Sequence, residues 1–276
     1  MKVAYFAGFP KFSGVAMVRK TLSMRGAIAS IGVAMAISAA TVQATTLAIN
    51  GTANIFGAGH SGGSATPAPG GSGGGTAPPS FIFLAGPNQV ITFSSVTGQV
   101  TCCTVLNNGP DGGTFAGGVT DITSFNGIAG IQHDNKTMFL VGVFTSNTEP
   151  VDPAPPRLHF SDAGGGGTMA TSFFDVFVQL DQPFFIGDGL TGTGSGSTQN
   201  FHVPNGATHL YFGFADGNGF SGAPGSYIDN AGTLSATFDL TTAAAPEPAS
   251  LALLGLGLLG LGVTRRRSSA RRTFAR

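Results

Sequence analysis

Residues 210–238 read LYFGFADGNGFSGAPGSYIDNAGTLSATF. An alternating apolar run, residues 208–215, ends in Asp216. A glycine-rich loop follows and closes on Tyr227-Ile228-Asp229-Asn230. A second alternating run, residues 233–240, then leaves. Alternation with period two marks a half-buried strand. Two strands thus carry a loop whose ends hold Asp216, Asp229 and Asn230. Oxygen side chains on a glycine-rich loop suit a hard cation such as calcium. The plain alternative is a β-hairpin connection in which Asp and Asn serve as turn residues.

The same pattern extends outward. Residues 45–56, 81–84, 89–93, 99–105, 137–145, 172–180, 183–186 and 200–203 read as further short strands. The run 137–145 (TMFLVGVFT) is the most apolar and reads as a central strand. Breaks fall at Gly86-Pro87-Asn88, Thr97-Gly98 and Pro204-Asn205-Gly206, and residues 187–197 read as a loop. The chain has 23 Phe and no Trp, and its Phe, Val and Thr favour strands. No stretch of the body is rich in Ala, Leu, Glu and Lys together, as a helix would be. The expectation is an all-β body over residues 45–242, a β-sandwich or jelly roll. Within it, residues 57–79 are Gly, Ser, Pro, Ala and two Thr with one histidine. They read as a flexible loop.

The formal net charge of zero conceals an acidic body. Between residues 45 and 245 twelve acids face two bases, Lys136 and Arg157, which leaves about −10. Such a body argues against nucleic acid as a partner, because phosphates want Lys and Arg. It suits cation binding, or solubility alone.

Both ends read as addresses. Arg19, Lys20 and Arg25 precede an apolar run, residues 26–40, and Val42-Gln43-Ala44 follows. This is a secretory signal helix, with signal peptidase cutting after Ala44. At the other end, residues 243–276 change composition. Pro246-Glu247-Pro248 precedes an apolar helix, residues 249–263, closed by Arg265-Arg266-Arg267. The helix is shorter than the ~20 residues of a stable membrane span. It reads as a transient inner-membrane anchor whose arginines stay in the cytoplasm. The three features, in that order, resemble the PEP-CTERM sorting signal of Gram-negative bacteria. The resemblance implies recognition by an exosortase, cleavage near Pro246-Glu247-Pro248, and delivery to the cell surface or the extracellular matrix.

The body resembles, more loosely, the small calcium-dependent galactophilic lectins of bacteria, the PA-IL type. Asp216, Ser226, Asp229 and Asn230 match the positions of that family's metal loop. The resemblance implies a Ca2+ site in which Ser226 gives its backbone carbonyl. Asn88–Phe93, Asn108–Gly112, Ile131–Asp134 and Phe201–Asn205 are similar to other segments of that family, in the same order. Residues 123–128 offer neither the histidine nor the glutamine with which those lectins grip the sugar.

For catalysis the residues offer little. No HExxH is present, and the two GxSxG spacings, Gly59–Gly63 and Gly70–Gly74, fall in the Gly/Ser-rich stretch rather than between a strand and a helix, so no nucleophile elbow is read. His133 and Asp134 are adjacent, and Asp175 or Asp181 could meet another acid in space. Cys102 and Cys103 are neighbours, so an ordinary fold-stapling bridge is absent. The plain reading is that alternating strand geometry buries one thiol and exposes the other; a vicinal bond, as a strained ring, and intermolecular pairing stand as the alternatives. The expectation is a non-enzymatic exported protein that binds carbohydrate or exopolysaccharide through calcium at the surface or in a biofilm matrix. A purely structural matrix protein and an extracellular polysaccharide hydrolase stand as alternatives.

Overall fold

The computed structural model describes residues 44–61, 73–103 and 108–242. The predicted signal helix before Ala44 and the predicted apolar helix, residues 249–263, lie outside the described residues. Sixteen strands follow in chain order: β1 (Thr45–Asn50), β2 (Ser80–Ile82), β3 (Gln89–Thr101), β4 (Thr120–Ile122), β5 (Ile131–His133), β6 (Val141–Thr145), β7 (Leu158–Ser161) and β8 (Met169–Ala170). The second half holds β9 (Asp175–Phe177), β10 (Phe184–Phe185), β11 (Leu190–Gly192), β12 (Ser195–Thr198), β13 (Asn200–His202), β14 (His209–Gly213), β15 (Ser221–Gly222) and β16 (Ala231–Thr242). Helical structure among the described residues is limited to short 3-10 turns. The protein is all-β.

Two sheets make a sandwich. One has the order β1-β16-β3-β13-β9, the other β10-β6-β14-β2. Phenylalanines from both inner faces meet between them. Phe93 and Phe238 of the first sheet contact Phe212 of the second, with ring centroids 6.2 and 5.1 Å apart. Phe238 also meets Phe81 at 5.2 Å, and Phe201 meets Phe184 at 5.6 Å. Edge-to-face and tilted pairs at these distances add to plain burial. Among the described residues, eleven Phe and Tyr227 are the largest fully buried side chains. Each contributes about 1.5–3 kcal/mol relative to exposure. This is where the many phenylalanines go in a chain without tryptophan.

A third sheet, β15-β4-β5-β7-β8, adjoins the sandwich through Phe160, which meets Phe185 at 6.1 Å. Nothing in the local pattern announces it. Its strands are two to four residues long, and three of its pairings are parallel.

Several boundaries differ from the sequence reading. Thr97-Gly98 is not a break: β3 runs through it for 13 residues, paired with β16 along its length. Gly98 takes φ 111° inside the ladder, opposite Leu234. Twelve cross-strand pairs outweigh one local turn preference. A Cβ at Gly98 would lie 2.3 Å from the Thr233 carbonyl oxygen. Gly98→Val is therefore expected to cost about 3 kcal/mol or more, from left-handed strain plus the clash. Thermal denaturation checks this; an unchanged melt would contradict the register.

The predicted first strand stops at Asn50. Asn54 then caps a 3-10 turn, Ile55–Gly57, with its Oδ1 accepting from the Phe56 N–H at 2.9 Å. The run 137–145 becomes strand only from Val141, after Met138 at φ 54°; β6 is wholly buried and lies inside its sheet. The predicted loop 187–197 contains the hairpin β11–β12. The ends of the 57–79 segment are fastened. The Thr76 N–H donates to the Thr52 carbonyl at 2.7 Å, and Asn54 Nδ2 donates to the Gly74 carbonyl at 2.8 Å. Residues 62–72 lie outside the described residues.

Candidate metal-binding cavity at the sheet crossover

Strands β14 and β16, read from sequence as partners across a loop, belong to different sheets. The stretch between them crosses from one face of the sandwich to the other. Tyr227 holds this crossover. It is fully buried, its hydroxyl donates to the Phe214 carbonyl at 3.0 Å, and the same oxygen accepts from the Asp216 N–H at 3.1 Å. The backbone reverses at Ser226, which has φ 65° and precedes the 3-10 turn Tyr227–Asp229. A non-glycine residue in that conformation is uncommon and clusters at binding sites.

Asp216 lies three residues beyond the end of β14 and is 1% exposed. Its Oδ1 accepts from the Gly217 N–H at 2.6 Å and its Oδ2 from Asn230 Nδ2 at 2.8 Å. Asn230 Nδ2 also donates to the Gly51 carbonyl at 3.2 Å. Its Oδ1 is buried without a hydrogen-bond partner. Burial pushes the Asp216 carboxyl up to about 7; the bonds from Asn230 and Gly217 oppose this, and the Asp229 charge adds to it. Burial likewise pushes the Tyr227 phenol well above its ordinary value.

Asp216, Ser226 and Asp229 line one cavity of about 300 Å³, together with Gly217, Asn218, Gly219, Phe115, Phe220, Cys102 and Cys103. Asn230 is not on that lining but touches it through Asp216. The structure thus gathers the four residues singled out from sequence at one place. It divides them into a buried pair, Asp216 with Asn230, and an exposed carboxylate, Asp229.

Sequence reasoning missed two things here. One is Tyr227, whose anchoring role depends on burial. The other is the cysteine pair. Because Thr101 pairs with Ala231, the residues after β3 lie beside those before β16. Cys103 Sγ therefore sits 3.4 Å from Asp229 Oδ2. Cys102 is buried and Cys103 partly exposed, but not through strand alternation: the predicted strand 99–105 stops at Thr101, Cys103 takes φ 62°, and in place of two thiols the pair is joined as a vicinal disulfide.

The sorting tail supplies the remaining identification. Residues 244–267 match the PEP-CTERM protein-sorting motif. Pro246-Glu247-Pro248 and Arg265-Arg266-Arg267 all fall inside that span, which lies outside the described residues. No curated protein and no solved structure matches the chain. The PEP-CTERM motif implies processing by an exosortase and sorting to the cell surface of a Gram-negative bacterium. Among the described residues no helix is long and apolar enough to cross a membrane.

The histidines have structural partners. His159 Nε2 meets Asp134 at 2.6 Å between adjacent strands, His202 meets Asp175 at 2.8 Å, and His60 meets Glu149 at 2.9 Å. Asp134 thus turns away from its sequence neighbour His133. The His202 and His60 contacts hold the carboxyls of Asp175 and Glu149 below their usual values. His133 is different: it is fully buried and faces Asp162 at 4.0 Å. A second cavity of about 210 Å³ carries Asp111, Lys136 and Asp162 on its wall. Burial raises the Asp111 carboxyl, and the nearby charge of Asp188 adds to the effect.

Proposed function

We propose that the mature body is a non-catalytic module that binds calcium in the crossover cavity and, through it, carbohydrate of the surface or surrounding exopolysaccharide. The observation that carries this is the buried pair. Asp216 is a carboxylate withdrawn from water, with no basic side chain among the groups that set its pKa. Beside it stands the unpartnered buried oxygen of Asn230. A buried charge needs a partner and a buried acceptor needs a donor or a cation. A hard divalent ion meets both needs, and carboxylate, amide and carbonyl oxygens are its preferred ligands. Asp229 and Ser226 face the same cavity, and the acidic body attracts cations toward it. Calcium, when bound, supplies open coordination positions that vicinal hydroxyls of a sugar can fill.

The full chain tests this. Calcium at a hundred times its Kd is expected to add about 2.7 kcal/mol of stability. That corresponds to roughly 5–10 °C in Tm relative to protein in EDTA. Asp216→Ala should remove the response. A melt indifferent to calcium and chelator would reject the metal reading. A glycan array run with and without calcium then separates ligand binding from a purely structural role. No calcium-dependent signal there favours the structural role.

A further inference from the structure

One wall of the same cavity, running from buried Cys102 to exposed Asp229, carries a different chemistry. The ligand atoms of Cys102, Cys103 and Asp229 lie within 4.8 Å of one another. We propose that, once the vicinal disulfide is reduced, these three residues form a site for a thiophilic divalent cation of the zinc and cadmium class. This goes beyond the calcium reading and shares only Asp229 with it.

Three observations support the site. First, the 3.4 Å between Cys103 Sγ and Asp229 Oδ2 is close to the edge of a metal tetrahedron. With Zn–S about 2.3 Å and Zn–O about 2.0 Å, that edge is about 3.5 Å. Second, the group opens onto a cavity of about 300 Å³, so a fourth ligand from solvent can enter. Third, the ligands are sorted by hardness. The two sulfurs lie together with Asp229, while Asp216 and Asn230 offer only oxygen ligands. Thiolates select soft cations and reject calcium, whereas those oxygens do the reverse.

The redox step balances as ordinary thiol–disulfide exchange. A thiolate of a dithiol reductant attacks the Cys102–Cys103 bond, and its second thiol resolves the mixed disulfide. Two electrons pass to the protein sulfurs, the reductant leaves as its own disulfide, and both cysteines become thiols. The incoming cation then displaces two protons and binds two thiolates and the Asp229 carboxylate. In an oxidising compartment the disulfide persists and the site is closed. The pair thereby admits a soft metal only under reduction.

Cadmium is a suitable probe, because thiolate binding gives a sulfur-to-metal charge-transfer band in the near ultraviolet. The full chain is titrated with Cd2+ before and after treatment with a phosphine reductant. The expected result is no band before reduction, a band saturating at one ion per chain after it, and loss of most of the band in Cys103→Ser. Asp229 is exposed, so Asp229→Asn should fold normally and weaken cadmium about tenfold or more, by loss of one ligand. No band after reduction, or a band that survives Cys103→Ser, overturns the site. An equal band before and after reduction overturns the gating. These readouts are optical and use no calcium, so they succeed or fail independently of the chelator-dependent melt.

Discussion

Tyr227→Ala is expected to lower the melting temperature by roughly 10–20 °C, the largest effect of any single change near the cavity. Tyr227 is fully buried at the crossover between the two sheets. Truncating a buried aromatic side chain costs about 3–5 kcal/mol. Here two further losses add to the cavity. The Asp216 N–H depends on the Tyr227 hydroxyl, and the Phe214 carbonyl loses one of its two donors, keeping only the Ile55 N–H. Tyr227→Phe separates the contributions, since it keeps the ring and leaves the Asp216 N–H unpaired, for about 1–3 kcal/mol, while the Phe214 carbonyl keeps its bond from the Ile55 N–H. It should also weaken the calcium response, because the Asp216 backbone is held through that hydroxyl. Thermal denaturation of the three proteins with and without calcium measures both effects. If Tyr227→Ala melts within a few degrees of wild type, the crossover is not anchored as described.

The second large effect is a pair of opposed pH dependences that conceal each other. His133 is fully buried, and its Nδ1 accepts the Asn135 N–H at 3.1 Å. Burial pushes its pKa down from 6.5 to about 4. The folded state therefore binds the proton less readily than the unfolded chain. Its contribution to stability is present above pH 6.5 and lost as pH falls toward 4. Asp216 in the chelator-treated protein acts in reverse. Its carboxyl rises from 3.8 to about 7, so the folded state holds a proton that the unfolded chain releases. Its contribution is present below pH 3.8 and lost as pH rises through about 7. Each shift corresponds to about 3–4 kcal/mol. Between pH 4 and 6.5 the two slopes oppose, and these two groups together leave the wild type nearly flat. Asp216→Asn should uncover stability that climbs with pH across that window. His133→Gln should uncover stability that falls with pH up to about 7. Denaturant midpoints in EDTA across the window check the signs; variants that run parallel to wild type would contradict both assignments.

How much of this was legible beforehand depends on the range over which each feature is determined. The strands β13, β14 and β16 were readable because alternation is local. A residue's side of a strand follows from its neighbours at i±2. The loop residues Asp216, Asp229 and Asn230 were readable as a group because they are close in the chain, and Ser226 joined them only through the lectin resemblance. The neighbour of that loop was not. Cys103 and Asp229 are 126 residues apart, and only the register of β3 against β16 puts them together. The same register explains the misreading of Thr97-Gly98. A Thr-Gly pair looks like a turn until a partner strand is known to pair with it.

The sequence by itself determined the all-β class, the acidic body and the sorting tail. Each is composition, local period or a short linear motif, and none needs a partner elsewhere in the chain. Tertiary structure alone decided that residues 210–238 span two sheets rather than form a hairpin. It also decided that Tyr227 clamps the crossover and that a cysteine pair shares a cavity wall with Asp229. The physical reason is that a period of two states which face of a strand is buried, and against what kind of surface. It does not state which strand lies alongside, because pairing is set by the packing of distant aromatic side chains such as Phe93, Phe212 and Phe238.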